Sequence, residues 1–222
     1  MNLCLFDLDH TLLPLDSDHA FGEFMVRLGW ADADVFRERN EAFFRQYREG
    51  GLDIHAYVDF ATTPWRDRPP EQLIAVQSLF MAQVISPCIT AEAIQLVREH
   101  EEAGDLVAIV TATNEFVTQP IAMAFGVEHL LAIRLERDEA GNITGRIAGV
   151  PTFRDGKVER IHQWLDSQGH TLKDFERVFC YSDSPNDLPM LELASDPVAT
   201  NPSTDLRTVA LERGWRVLDL FE

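Results

Sequence analysis

At 222 residues the chain suits one α/β domain with a sizeable insert, or two small domains. Its 37 acidic residues outnumber 19 basic ones, a net charge of −18, so the surface repels nucleic-acid phosphates and anionic membranes and argues against both as partners. No apolar run spans a bilayer and no signal-peptide pattern opens the chain; with three widely spaced cysteines (Cys4, Cys88, Cys180) in place of a disulfide framework, the expectation is a cytoplasmic protein with reduced thiols.

The first element is a short apolar run, Leu3–Phe6, which reads as a buried parallel strand ending in Asp7-Leu8-Asp9. From Ser17 to Ala82 the apolar residues fall three and four apart (Phe21, Phe24, Met25, Leu28; then Val35, Phe36, Phe43, Phe44, Tyr47), punctuated by Gly29, Gly50-Gly51 and Pro69-Pro70. That spacing predicts an all-helical insert of about four helices. After Pro87 strands and helices alternate. The pattern predicts a helix over Ala91–Ala103, a strand Leu106–Val110 and a helix Glu115–Phe125 weakened or kinked at Pro120. A hairpin of Ile133–Arg137 and Ile143–Ile147 follows, then a helix Lys157–Ser167 and a strand Arg177–Tyr181. A helix at Asp187–Leu193, strand Pro197–Thr200, helix Leu206–Arg213 and strand Arg216–Leu218 close the chain. Such alternation implies an α/β fold with a doubly wound parallel sheet, whose ligands bind beyond the carboxyl ends of the strands. The expected division is a core of residues 1–15 and 86–222 with a helical cap over 16–85.

Four features fall at strand ends or helix starts. Asp7 and Asp9 are two carboxylates one residue apart beyond a strand, an arrangement that calls for a cation such as Mg²⁺, although turn and cap residues look the same. Thr111-Ala112-Thr113-Asn114 offers a hydroxyl and backbone amides to an anion, or simply a helix cap. Lys157 sits near a helix start, against the helix dipole, which marks it as a candidate functional cation. It is one of two lysines, with Lys173. In Tyr181-Ser182-Asp183-Ser184-Pro185-Asn186-Asp187 a strand again ends in an acid: Asp183 is placed to bind metal, and Asp187 to bind through water, orient the loop or cap the next helix.

In combination and order these residues resemble the haloacid dehalogenase superfamily of phosphohydrolases, and within it the phosphoserine-phosphatase-like branch with a helical cap. Asp7-Leu8-Asp9-His10-Thr11 resembles the first motif, Thr111 the second, Lys157 the third, and Asp183 with Asp187 the fourth. The resemblance implies an Mg²⁺-dependent phosphatase in which Asp7 is the nucleophile and Asp9 the general acid and base. It further implies that Thr111, Ala112, Lys157 and Asn186 hold the phosphate, and that Asp7, the Asp9 carbonyl, Asp183 and Asp187 build the metal site. His10, Ser182 and Ser184 stand where relatives often carry glycine, and Ala112 and Thr113 where phosphoserine-specific members do.

The expected substrate is a small phosphate monoester, such as phosphoserine or histidinol phosphate. Asp16 and Asp18, at the start of the cap, would suit a cation on it; capping by Ser17, with Asp18 in the first helical turn, explains them equally well. A carboxylate-bearing substrate would need a cation from Arg27, Arg45, Arg48, Arg66 or Arg68. The alternatives are a receiver-like phospho-accepting domain and a catalytically inactive binding protein of the same fold. A monomer or homodimer is expected.

Overall fold

The computed structural model describes residues 1–221, apart from the side chain of Arg48. Strand β1 (Leu3–Phe6) is completely buried, as a strand covered on both faces must be. It pairs in parallel with β2 (Leu106–Asn114) on one side and β6 (Val178–Ser182) on the other. The sheet continues outward to β3 (His129–Ile133) beyond β2, and to β7 (Asp196–Thr200) and β8 (Arg216–Leu218) beyond β6, giving the order β3-β2-β1-β6-β7-β8 with every pairing parallel. The order reverses around β1, so its carboxyl end opens into the crevice where ligands of such sheets bind.

Alternation along β1 sorts the two faces. Cys4 and Phe6 join the apolar cluster beneath α5 (Ala91–Glu102) and α6 (Glu115–Phe125), whereas Leu3 and Leu5 join the cluster of α7 (Asp155–Ser167), α8 (Leu188–Leu191) and α9 (Thr204–Arg213). Between β1 and α5 lie, among the described residues, four α-helices, as the periodicity predicts: α1 (Ser17–Arg27), α2 (Ala33–Arg48), α3 (Ile54–Thr62) and α4 (Pro70–Phe80), the last running on through a π turn at Met81–Ile85. Aspartates start the first three by accepting backbone N–H bonds. For α1 the cap is Asp16 rather than Ser17, whose own amide is committed to Asp9.

The insert is anchored to the sheet layer by aromatics. Trp65 stacks on Phe116 of α6 at 4.4 Å and Phe21 meets the same ring edge-on at 5.9 Å. Burying each such ring contributes on the order of 2–3 kcal/mol. Pro120 does not end α6. It leaves the Phe116 carbonyl without its helical N–H donor, and Gln77 of α4 donates to that oxygen at 2.5 Å.

One element differs from expectation. The run read as the first arm of the hairpin holds the end of β3, and the hairpin proper is β4 (Leu135–Arg137) with β5 (Ile143–Ile147), turned by Asp138, which accepts the amides of Ala140 and Asn142. From His129 to Leu135 no glycine or proline separates a strand of the main sheet from a hairpin strand, so the two read as one run. Among the described residues no single helix is long and apolar enough to cross a membrane.

Candidate active site

The chain turns sharply on leaving β1: the amides of Leu12 and Leu13 both reach back to the Leu8 carbonyl. This turn places His10 at φ +57, in the left-handed region where glycine is the easier choice. Asn201, just beyond the end of β7, donates to the carbonyls of His10 and Thr11 at 3.0 and 3.2 Å and fixes the loop from two strands away.

Asp7, Lys157, Asp183 and Asp187 come together at the rim. Lys157 Nζ donates to Asp7 Oδ1 and to Asp187 Oδ2, each at 2.7 Å, and the lysine is only 3% exposed. Ser182 Oγ donates to the same Asp187 oxygen at 2.7 Å. Asp187 therefore anchors the lysine. The Thr11 hydroxyl lies 3.3 Å from Asp7 Oδ2 and 3.4 Å from Asp183 Oδ1, so these two carboxylates face a common space.

Burial raises the pKa of Asp7, opposed by Lys157 and reinforced by Asp187 and Asp9; Asp183 is raised by burial, then by Asp7 and Asp187. Burial works against the Lys157 ammonium, yet Asp187 and Asp7 outweigh it and hold its pKa above the ordinary value. Three buried or partly buried carboxylates thus share one ammonium, a deficit of positive charge at the place where a phosphate would add more negative charge.

Asp9 is oriented from two directions. Ser17 N donates to Oδ1 and Thr113 Oγ1 to Oδ2, both at 2.8 Å, while burial and the nearby Asp16 push its pKa up to about 7 despite these bonds. Thr113 belongs to the extended end of β2, which runs to Asn114 instead of stopping at Val110. Its role was hidden in the sequence because a threonine after Thr111 reads as a cap. We expect Thr113→Val to lower turnover roughly tenfold, the loss of a hydrogen bond to a charged group. The pH–rate limb governed by Asp9 should also move to higher pH, since the lost bond favours the ionised form. An unmoved profile would dismiss Thr113 as an orienting group.

The rim is roofed by the insert, leaving a cavity lined by Asp7, Asp9, Thr111, Ala112, Thr113 and Asp183 below and by Asp16, Asp18, His19, Asn40, Phe43, Phe44, Tyr47 and Tyr57 above. Among the described residues no lysine or arginine lines it. Asp18, 8% exposed, is held by Asn114 Nδ2 at 3.3 Å and by the Tyr57 hydroxyl. Burial, with Asp16 and Asp9 adding to it, pushes its pKa up to about 8.

The candidate arginines lie elsewhere. Arg27 covers Phe24, Arg68 covers Trp30, Arg66 pairs with Asp59, and Arg45 lines an outer groove. The side chain of Arg48 is outside those described. Asn186 also borders that groove, and its amide faces the insert, where Nδ2 donates to the Tyr47 carbonyl at 3.2 Å.

Residues 4–192 match the profile of the haloacid dehalogenase-like hydrolases. The chain belongs to this family. A histidinol-phosphatase of Neisseria meningitidis is 40% identical over 98% of both chains, and a phosphoserine phosphatase of Mycobacterium tuberculosis is 30% identical over 96% of this chain and 69% of its own length. Among solved structures, a protein of unknown function from Bordetella pertussis superposes with a TM-score of 0.93 at 48% identity over 99% of both chains. A substrate-bound phosphoserine phosphatase gives 0.68 at 19% identity over 98% of this chain and 92% of its own, a likeness of fold. This haloacid dehalogenase-like hydrolase is a phosphatase acting on a small phosphate ester, and the receiver-like and inactive alternatives fall away.

Proposed function

We propose that the enzyme is an Mg²⁺-dependent phosphatase of a small cationic amino-alcohol phosphate, histidinol phosphate first among them, working through a phospho-aspartate on Asp7. The observation that carries the substrate class is the cavity lining: Asp16 and Asp18 with aromatic walls and, among the described residues, no lysine or arginine. A substrate ammonium or imidazolium would meet acids there, and an imidazole could stack on Phe43, Phe44 or Tyr57. The carboxylate of phosphoserine would find no cation among the described lining residues. The histidinol-phosphatase named above, similar along the whole chain, points the same way.

The donor set fits a hard divalent cation. Asp7 Oδ2 and Asp183 Oδ1 share one space, and among the described residues no closed group of three His, Cys, Asp or Glu ligands forms. Two carboxylates are enough for Mg²⁺, which takes one or two and completes its shell with water and phosphate. Asp7 and Asp183, with the Asp9 carbonyl, would hold it, and Asp187 would act through Lys157 or through water. When bound, the ion neutralises charge between carboxylate and phosphate.

The chain's own groups then account for both half-reactions. A carboxylate oxygen of Asp7 bonds to phosphorus as the ester P–O bond breaks, and Asp9 gives its proton to the departing alkoxide. Asp9 next takes a proton from water as that oxygen bonds to phosphorus and Asp7 is released. A pKa near 7 lets Asp9 serve in both directions at neutral pH. Thr111 and the amides around Ala112 hold phosphoryl oxygens, and Lys157 balances their charge.

Residues 16–85 act in this reading as a cap on the core of residues 1–15 and 86–222, excluding water. The protein works in the cytoplasm as a monomer or homodimer, without nucleic-acid or membrane partners, a reading supported by its charge of −18 and its free cysteines.

Phosphate release with Mg²⁺, with EDTA, and across histidinol phosphate, phosphoserine and sugar phosphates tests the proposal. The expected result is loss of activity in EDTA, recovery with Mg²⁺, and kcat/KM for histidinol phosphate at least about tenfold above the others, the worth of one good charged contact. Preference for phosphoserine or sugar phosphates would overturn the substrate class. Undiminished turnover in EDTA would overturn the metal.

A further inference from the structure

We infer that Arg154 is a positioning residue, a latch that holds the end of α2 over the active site and ties it to the loop carrying Asp183 and Asp187. The first observation is its backbone. Arg154 has φ +53 and ψ −123, a region that glycine enters freely and other residues do not, and such outliers gather at functional positions. Gly156, two residues on, packs so closely on the Pro151 carbonyl that a Cβ would sit 2.1 Å from it, so the whole turn into α7 is tightly specified.

The second observation is where this backbone sends the side chain. Nη2 donates to the carbonyl of Gly50, just beyond the end of α2, and lies 3.4 Å from Asn186 Oδ1. Asn186 in turn donates from Nδ2 to the Tyr47 carbonyl at 3.2 Å. One guanidinium and one amide therefore bind two carbonyls at the end of α2, the Tyr47 oxygen accepting the Gly50 amide as well, and the helix dipole favours a cation there. The seat is shaped for the guanidinium: Gly50 has φ +76, and a Cβ there would lie 2.7 Å from Arg154 Nη2.

The third observation is what the latch connects. Tyr47 lines both the active-site cavity and the outer groove, so it forms part of the wall between them. On the other side, Arg154 immediately precedes the helix whose third residue is Lys157, which holds Asp7 and Asp187. Closing the wall and setting the ammonium thus share one turn of chain. Arg154 is not among the residues that line the active-site cavity, so the inference is independent of the substrate assignment.

Steady-state kinetics and hydrogen exchange on Arg154→Gly test it, with histidinol phosphate and p-nitrophenyl phosphate as substrates. Glycine relieves the backbone and removes the latch. The expected result is a thermal midpoint equal to or above that of the parent, KM raised about tenfold for each substrate turned over and kcat changed less than threefold. Amides 47–52 should exchange about tenfold faster, with those of β1 unchanged. Arg154→Lys, which keeps the charge but not the planar fork, should fall between the two. Unchanged KM and unchanged exchange at 47–52 would overturn the latch. So would a lowered midpoint or failure to fold in both variants, which would make Arg154 a determinant of the fold instead.

Discussion

Replacing Asp7 by Asn is expected to lower phosphate release by on the order of 10⁴-fold or more, the scale seen when a member of a catalytic set that acts as a unit is removed. An amide of the same shape cannot form the acyl phosphate, so the loss should fall on turnover for every substrate. The fold should survive. Lys157 keeps Asp187 at 2.7 Å, and the substitution removes one of three carboxylates that share its ammonium. Since burial, with Asp187 and Asp9 adding to it, raises the pKa of Asp7 against the pull of Lys157, ionised Asp7 is held at a cost that the amide does not bear. The thermal midpoint of Asp7→Asn should therefore equal or exceed that of the parent. Phosphate-release rates read beside a calorimetric scan check both halves. Activity within about a hundredfold of the parent would remove Asp7 as nucleophile; lost activity with a collapsed midpoint would show the residue to be a structural partner of Lys157.

The gathering of these carboxylates at one rim was legible in the sequence because strand-end acids announce themselves. Asp7, Asp9 and Asp183 each follow a short apolar run, and a parallel sheet brings such ends to one rim whatever the details of packing. Lys157 stood out by opposing its helix dipole, and the structure supplies the reason in Asp7 and Asp187. The insert was legible from its 3.6-residue periodicity. The residues that orient these groups were not. Thr113, Ser182 and Asn201 act through hydrogen bonds across 104, 5 and at least 190 positions, and nothing local distinguishes them from ordinary caps and turns. Strand β3 escaped because its only separation from β4 is a single arginine, Arg134, without turn chemistry. Arg154 escaped for a different reason: a strained φ is a property of the fold, invisible in a residue type that normally avoids it.

Asp18→Asn carries the other large expectation, because it should improve the fold and harm selectivity at once. The sign follows from the proton count. The carboxyl has an ordinary value of 3.8 and rises to about 8 in the folded chain. Below about pH 4 both folded and unfolded chains hold the proton and the group costs nothing. As pH rises toward 8 the unfolded chain releases its proton while the folded chain keeps it, so stability falls across that window and the full cost is present above it. Asparagine has no such window. The variant should gain little near pH 4 and roughly 2 kcal/mol at pH 8, well below the full shift because the cavity admits water, or about 6 °C in midpoint for a chain of this size. Asn114 can still donate to the new amide oxygen, so the gain is not offset by an orphaned donor. A cationic leaving group favours the ionised carboxyl and displaces its proton on binding. Asp18→Asn should thus cost about 2–3 kcal/mol of transition-state binding for histidinol phosphate, near a hundredfold in kcat/KM, and far less for p-nitrophenyl phosphate. A midpoint difference flat between pH 4 and 8 would mean that no uncompensated charge is buried at Asp18. A stability gain without the selective loss would leave the acid in the cavity but separate it from substrate recognition.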